Sequence, residues 1–510
     1  MINKIKTYYS DHPLRSILLA GLFFRLVAAL FSRGYGWSDD QFLVIEIAQS
    51  WANGIDYYGW LPDATGNNRP QGFSFFYVGL QYIFFEILKF IGINDPQTKM
   101  VVIRLAHAFW SMITVFFGYK ITLRLSDQKT ARSLGWLLAI FWIYPFISVR
   151  NLVEFVSIPF LMWGLWLIIK NKTLKTVSLA FWAGFLFGLA FDTRFQTVLI
   201  SGSFGFALLF QKRWKEVIWI ALGSFLSIII VQGVVDYIIW GKAFTQIIGY
   251  VSYNATHAGD YTVGPWYVYL LFLLGILIPP VSIFLFAGLF KEWKRLAILF
   301  LPAVIFILFH SYYPNKQERF IITILPFLMI IGMIGWQRIA ENFQNKNWYK
   351  ASWIFFWTLN ILLLIPVTFT YSKKARVESM TYLSQYNEAF NYFIIEDISK
   401  TVLGHPPLFY LGKYMNYYAL LENNGAYPQF YKEVKAGKIG EPGFILFYHD
   451  NDLPARVDLM KVVYPEIEFE TKIKPGNVDK ILFWLNPIND NQNIYIYRNK
   501  TVIPDKLSNE

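Results

Sequence analysis

Of 510 residues, 55% are hydrophobic and 19% aromatic, while only 16% are charged, against roughly 25% in an ordinary soluble domain. Such a chain cannot cover itself with polar surface, which sets aside a large soluble enzyme and points to an integral membrane protein. The net charge of +12 does not mark a nucleic-acid binder, because Lys and Arg sit in short clusters between apolar runs, as in Gln211-Lys212-Arg213-Trp214-Lys215. Such clusters are orientation signals at the ends of spans. The absence of cysteine excludes disulfides and thiolate metal sites.

A basic start (Lys4, Lys6, Arg15) precedes an apolar stretch that Arg25 interrupts, which reads as an uncleaved first span rather than a signal peptide. A crossing needs about 20 mostly apolar residues. On that measure, spans are predicted near residues 16–32, 101–123, 134–149, 155–169, 176–191, 196–210, 217–240, 266–290, 296–310, 320–337 and 351–371. The stretch 73–93, which carries Glu86 and Lys89, is ambiguous. If it does not cross, the cytoplasmic loops hold Arg124/Lys129/Arg132, Lys170/Lys172/Lys175, Lys212/Arg213/Lys215, Lys291/Lys294/Arg295 and Arg338/Lys346/Lys350, and every one is basic. If it does cross, those loops move outside and the loops bearing Glu154, Asp192, Asp236 and Asp260 move in, against the positive-inside rule. Residues 73–93 are therefore expected to lie along, or re-enter, the outer interface, with the N-terminus inside and the C-terminus outside.

The predicted fold is an α-helical polytopic membrane protein with about eleven spans, an interfacial or re-entrant helix and a C-terminal soluble α+β domain. Residues 1–371 are expected to form the transmembrane module, its first outer loop 33–100 carrying interfacial helices. Residues 372–510 are expected to form the soluble domain on the outer face, where strand-like runs appear at Phe444-Ile445-Leu446-Phe447-Tyr448 and Asn493-Ile494-Tyr495-Ile496-Tyr497.

With that orientation, the polar residues collect on the outer side. The first outer loop presents Asp39-Asp40 ahead of a helical pattern (Phe42, Ile45, Ile47, Ala48, Trp51). Paired carboxylates at a membrane surface suit a general base facing a hydroxyl; alternatively, Ser38 and Asp39 cap that helix. Later outer loops add Arg150, Asn151, Glu154, Asp192, Arg194 and Gln196, residue types that also pair or snorkel at span ends. The loop from Asp236 to Tyr267 interleaves Trp240, Tyr253 and Trp266 with Asn254, His257 and Asp260. That pattern serves either as an interfacial anchor or as a carbohydrate surface. In Pro314-Asn315-Lys316-Gln317-Glu318-Arg319-Phe320, two outer cations stand three residues apart at the start of a span, an arrangement suited to a phosphorylated lipid head group. Walker, dinucleotide, HExxH and GxSxG motifs are absent, and the six histidines are scattered. No cofactor is expected, and a divalent metal is compatible with the sequence but not indicated by it.

Four segments resemble the GT-C superfamily of membrane glycosyltransferases, in particular the polyprenyl- or dolichyl-phosphate-mannose-dependent α-mannosyltransferases of N-glycan precursor and GPI-anchor synthesis. They are Asp39-Asp40, Arg194-Phe195-Gln196-Thr197, the Asp236–Tyr267 stretch with Trp240-Gly241-Lys242 and Tyr253-Asn254, and Pro314–Phe320. The likeness covers roughly residues 15–370. It departs at Asn315, where the family usually has His, and at Asp40, where it usually has Glu. The resemblance implies inverting transfer of one sugar, mannose, from a polyprenyl-phosphate donor to a glycan or glycolipid acceptor on the outer or lumenal side. In that scheme Asp39 is the base and Asp40 orients the acceptor. Lys316, Arg319 and Arg194 hold the donor phosphate, while Glu154, Gln196, Asp236, Tyr253, Asn254, His257, Trp266 and Glu318 line the substrate site. Membrane lipid is the expected surrounding partner and nucleic acid is not a partner. Short loops suit a bacterial cytoplasmic membrane, with the endoplasmic reticulum as the eukaryotic equivalent. The alternatives are a transporter or flippase of lipid-linked glycans, which would place charges near span midplanes, and an oligosaccharide ligase or polymerase.

Single cysteines introduced at Thr173 and Ser38 are expected to react with an impermeant thiol reagent from opposite sides of the membrane. Labelling from the same side would make residues 73–93 a crossing and overturn the sidedness.

Overall fold

The computed structural model describes residues 9–63, 72–170, 177–386, 388–398, 404–422, 426–487 and 491–504. Lys4, Lys6, Lys172, Thr173 and Lys175 lie outside the described residues. The chain divides into two compact units, the first made of residues 1–30, 58–83 and 103–369, the second of 31–57, 84–102 and 370–510. Much of the expected first outer loop thus belongs to the unit that holds the C-terminal residues.

The first unit is helical. Among the described residues, five helices are long and apolar enough to cross a bilayer: Pro13–Phe31, Pro96–Leu125, Trp214–Trp240, Glu318–Ala340 and Asn347–Thr368. A sixth candidate is the pair Val268–Ile276 and Val281–Lys291, bent by 117°. The sequence pattern predicts one span near residues 266–290, and within it Pro279 and Pro280 supply no amide donors to a continuing helix. The remaining expected crossings are shorter or interrupted: Val153–Ile169, Val177–Thr193, Phe195–Phe210 and Ala297–Tyr312, with Gln128–Ile140 followed by the turn Tyr144–Ile147. The ambiguous stretch forms the 16-residue helix Phe75–Phe90, about 24 Å long at 1.5 Å per residue, and is not among the helices long and apolar enough to cross.

Interrupted helices expose carbonyl groups that hydrocarbon cannot satisfy, and Arg25 answers one such break. The helix Gln128–Ile140 stops where Phe141 turns extended. There Arg25, 1% exposed, donates to the carbonyls of Leu138 (3.1 Å) and Ala139 (2.7 Å), and also to Gly21 O and Ser111 Oγ. Across the same break Asn360 accepts from the Trp142 amide and donates to Ile140 O, both at 2.9 Å. The charge that breaks the apolar run of the first span is therefore a cap for its neighbour.

Helix contacts are closest where glycines remove side chains. A Cβ added to Gly335 would lie 2.0 Å from Gly288 O, and one added to Gly288 would lie 2.0 Å from Gly332 O. The helices Val281–Lys291 and Leu325–Ala340 thus meet backbone to backbone.

In the second unit a five-stranded sheet has the order β2-β1-β3-β5-β4. The strands are β1 (Phe393–Asp397), β2 (Tyr417–Leu421), β3 (Phe444–Tyr448), β4 (Ile467–Ile473) and β5 (Ile494–Asn499). β1 pairs in parallel with β2 and β3, while β5 runs antiparallel to β3 and β4. The two runs read as strands in the sequence become β3 and β5, with Ile445 opposite Tyr497. The helices Ala426–Lys435 and Leu453–Lys461 contribute Phe430, Val457 and Met460 to the core that covers Ile394, Leu420 and Phe447. The segment after the first span is tied into this unit. Ser32 Oγ donates to Thr370 O (3.0 Å), the Ser372 amide donates to Arg33 O (3.1 Å), and the Phe409 amide donates to both oxygens of buried Glu46 (3.0 Å each).

Substituting Gly335→Ala is expected to cost about 1–3 kcal/mol by overpacking, seen as a lower thermal midpoint of the purified protein. A midpoint equal to that of the parent would show that the two helices separate freely.

Candidate functional site

Three separate chain turns supply the charged centre of the first unit. Glu154 stands in the short turn Val153–Val156 before the helix Ile158–Ile169. Arg194 adopts extended backbone (φ −149°, ψ 106°) between the helix Val177–Thr193 and the tight turn Phe195–Thr197. Arg319 lies in the tight turn Glu318–Ile324 that leads into the helix Leu325–Ala340. These turns bring two guanidinium groups onto one carboxylate: Arg194 Nη2 lies 3.1 Å and Arg319 Nη1 3.4 Å from Glu154 Oε1.

All three side chains are buried, Glu154 at 1% exposure, Arg319 at 4% and Arg194 at 8%. Gln196 Oε1 accepts from Arg194 Nε at 3.1 Å, and Gln317 Oε1 accepts from Arg319 Nε and Nη2 at 2.9 and 2.7 Å. The Phe320 ring lies 5.1 Å from one guanidinium and 5.0 Å from the other. Thr323 Oγ1 donates to Glu154 O at 3.1 Å, locking the first turn to the third. The remaining Nη1 edge of Arg194 has no protein partner among the described residues, and a guanidinium fork is shaped to bind carboxylate or phosphate oxygens.

Two residues of this centre escape sequence reasoning. Tyr250 packs its ring 5.1 Å from Phe195 and bonds Gln196; burial pushes its phenol above the ordinary value, so it remains a neutral hydroxyl. Phe320 lies inside the recognised Pro314–Phe320 segment, but its role as a platform under two cations depends on a contact between turns more than a hundred residues apart.

Lys316 occupies a different position from its partner in the motif. Its ammonium donates to the carbonyls of His310 (2.7 Å), Ser311 (2.8 Å) and Tyr313, the C-terminal end of the helix Ala297–Tyr312. Burial holds its pKa below the usual lysine value. This is a C-terminal cap, and Lys316 also lies 5.4 Å from the Tyr269 ring. Glu318 is exposed and Asn315 is buried, with its Oδ1 accepting from Gln317 Nε2 at 3.4 Å.

The aromatic loop is only partly drawn into this arrangement. The Lys316 amide donates to Thr262 O (2.8 Å), and Tyr313 OH donates to Asn254 O (2.8 Å). Tyr253 and His257 stack at 4.4 Å with 9° between their planes, on the surface, and Trp266 is 64% exposed. The described bonds of Asp236 go to the Gln246 amide (3.0 Å) and Gln232 Nε2 (2.9 Å), a buried amide network rather than the arginine centre.

In the second unit, Asp39 is half-buried in the turn Ser38–Asp40. Asp40 is 4% exposed and accepts the amides of Gly36 (3.0 Å) and Trp37 (2.9 Å). The carboxylate of Asp40 thus caps backbone amides, a role that the sequence offers to Ser38 and Asp39. Glu46, which falls between the apolar positions of the helical pattern, receives the Phe409 amide and also accepts from Gln41 Nε2 at 3.0 Å. Among the described residues no group of three or more His, Cys, Asp or Glu is placed to hold a metal ion.

A helical bundle joined to a small sheet unit is the fold of the GT-C class of membrane glycosyltransferases. The solved structure of ArnT from Cupriavidus metallidurans shares the fold at a TM-score of 0.61, with 12% identity, over 96% of this chain and 98% of that one. The ArnT structure bound to undecaprenyl phosphate matches at 0.59, with 13% identity, over 95% and 98%. Residues 16–406 match the Alg9-like mannosyltransferase family, and the chain belongs to that family. GPI alpha-1,2-mannosyltransferase 3 of Bos taurus is 23% identical over 342 residues, 64% of this chain and 59% of that protein. GPI mannosyltransferase 3 of Candida glabrata is 23% identical over 225 residues, 37% of this chain and 35% of that protein. The matched stretches therefore span less than two thirds of the length of either relative.

Replacing Lys316 by Met removes the cation from three helix-end carbonyls and is expected to cost about 1.5–3 kcal/mol, the range for hydrogen bonds to a charged group. The check is a thermal midpoint that falls by several degrees without added substrate; an unchanged midpoint would remove the capping role.

Proposed function

We propose that this integral membrane protein transfers a single mannose, with inversion, from a polyprenyl-phosphate donor to a glycan or glycolipid acceptor on the outer side of the membrane. The convergence of Arg194 and Arg319 on Glu154 carries this reading. A lipid monophosphate departs with its negative charge, and two buried guanidinium groups at fixed positions stabilise a developing anion far better than mobile water does. Glu154 and the glutamines Gln196 and Gln317 keep both forks in place before the donor binds. Membership of a mannosyltransferase family supports the sugar. ArnT, which has the same fold, is solved with undecaprenyl phosphate bound, and this supports the class of lipid.

In the proposed reaction the acceptor hydroxyl oxygen bonds to the anomeric carbon as the bond from that carbon to the phosphate oxygen breaks. The hydroxyl proton passes to the Asp39 carboxylate, and the leaving group is the polyprenyl phosphate. Asp40, bound to two backbone amides, shapes the turn that presents Asp39. Lys316 supports the arginine-bearing turn from the helix end it caps. Tyr253, Asn254, His257 and Trp266 offer stacking faces and hydrogen-bonding edges for the acceptor glycan. The basic loops support a cytoplasmic side opposite the transfer site, and we assign the chain to a bacterial cytoplasmic membrane, or to the endoplasmic reticulum in a eukaryotic host.

The test incubates purified protein with polyprenyl-phosphate mannose, glucose or arabinose and a glycolipid acceptor. The mannose donor is expected to be consumed, and Asp39→Asn is expected to lower turnover about 10²- to 10⁴-fold, the range for losing a general base, while donor binding persists. Consumption of another donor would overturn the sugar assignment, and full turnover by Asp39→Asn would remove that residue as the base.

A further inference from the structure

The first unit contains a cavity that the transfer chemistry does not use. It holds about 550 Å³ and is lined by Lys129, Ser133, Trp136, Ile140, Gln337, Gln344, Tyr349, Trp353 and Trp357; ligand pockets generally fall in the ~300–1,000 Å³ range. Its walls are the helix Gln128–Ile140, the far end of Leu325–Ala340 and the first turns of Asn347–Thr368. Leu325–Ala340 starts directly after the turn bearing Arg319 and is 16 residues long, so Gln337 near its other end stands roughly 20 Å along the axis from that turn. The cavity and the arginine centre therefore occupy opposite ends of one helix.

The lining is graded. Polar groups cluster toward the helix ends, where Lys129 Nζ donates to Gln344 Oε1 at 2.7 Å and Ser133 and Gln337 follow. Trp136, Ile140, Trp353 and Trp357 continue deeper, with about 12 Å of helix between Tyr349 and Trp357. Trp136 is fixed by its indole N–H, which donates to Tyr9 OH at 3.1 Å, and Arg132 lies over the Tyr9 ring at 5.6 Å.

The surrounding charge is positive. Along the chain, Arg132 stands close to Lys129, and Arg338, Lys346 and Lys350 stand close to Gln337, Gln344 and Tyr349, while the acids in these segments are largely committed. Asp127 caps the helix through the Thr130 amide (2.9 Å), and Glu292 is paired with Arg295 and Arg338. Glu341 is exposed. A cation at the mouth of an aromatic cleft between membrane-spanning helices complements an amphiphile with an anionic head and apolar chains.

We infer that this cleft binds an anionic glycerophospholipid from the leaflet on the basic-loop side, with the phosphodiester against Lys129 and Gln344 and an acyl chain along Trp136, Trp353 and Trp357. The lipid holds together the ends of three helices, one of which, Leu325–Ala340, follows the turn bearing Arg319 at its other end. The membrane itself supplies the ligand, so the site is distinct from those of donor and acceptor.

The test uses the full chain in detergent, titrated with dioleoyl phosphatidylglycerol, dioleoyl phosphatidylcholine or glycerol 1-phosphate and read by native mass spectrometry. The phosphatidylglycerol adduct is expected to form about tenfold more readily than the phosphatidylcholine adduct. Lys129→Ala is expected to weaken it about fivefold, the scale of one cation near a lipid surface, and Ser133→Trp to abolish it by filling the cavity. Glycerol 1-phosphate is expected to leave the adduct in place; displacement by it would make the site one for a soluble phosphate and overturn the lipid assignment. Equal binding of the two lipids, or phosphatidylglycerol adducts unchanged in both variants, would also overturn it. Because either variant can fail to fold, the parent protein is also irradiated with photoactivatable phosphatidylglycerol. Cross-links on the peptides containing Trp136 and Trp353 support the site, and cross-links confined elsewhere refute it.

Discussion

An ion taken out of water costs several kcal/mol unless other charges and dipoles replace its hydration, and the buried arginine–glutamate centre is organised around this constraint. Glu154 is nearly inaccessible, and its compensation comes from Arg194 and Arg319 rather than from solvent. The arginines in turn need acceptors, which Gln196 and Gln317 supply from positions two residues away in each turn. Each glutamine orients its own arginine, and the carboxylate joins the two turns. A centre assembled in this way holds its cations at fixed positions, the preorganisation on which the proposed phosphate stabilisation rests.

The same constraint governs the interrupted helices. A straight span satisfies its own backbone, whereas one that stops within the bundle releases carbonyls and amides that need partners. Arg25 and Asn360 meet this need after Ile140, and Lys316 meets it after Tyr312. In these places a polar side chain that looks expensive in a hydrophobic sequence satisfies a break somewhere else. The breaks also make the turns that carry Glu154, Arg194 and Arg319.

Much of the fold was legible from periodicity and composition. The apolar runs became helices, and the alternating runs at Phe444–Tyr448 and Asn493–Tyr497 correspond to two central strands of the sheet. Straightness was not legible, since hydropathy averages over a window and does not register a change of axis; the 117° bend between Ile276 and Val281 is the clearest instance. Within the candidate site, Arg194, Glu154 and Arg319 could be singled out because charge at a span end is conspicuous, and Gln196 because it shares the short segment Arg194-Phe195-Gln196-Thr197. Tyr250 and Phe320 could not, because an aromatic residue in a chain with 19% aromatics carries no signal of its own. The different surroundings of Lys316 and Arg319 were likewise hidden, as two cations three residues apart in one motif look equivalent until the end of the preceding helix is seen to claim the first.

Local chemistry alone was enough to establish that this chain enters a membrane, that its helices alternate with polar turns and that its final segment contains strands, because hydropathy and alternation are properties of neighbouring residues. The family likeness was equally readable, as it rests on short motifs in a fixed order. Which polar groups meet was decided only by the tertiary structure. Glu154, Arg194 and Arg319 are separated by dozens of residues, and their encounter follows from where each helix stops. The roles of Arg25 and Lys316 as helix caps were settled there too, since the partner of a buried charge is set by packing in three dimensions and leaves no trace in the residues beside it.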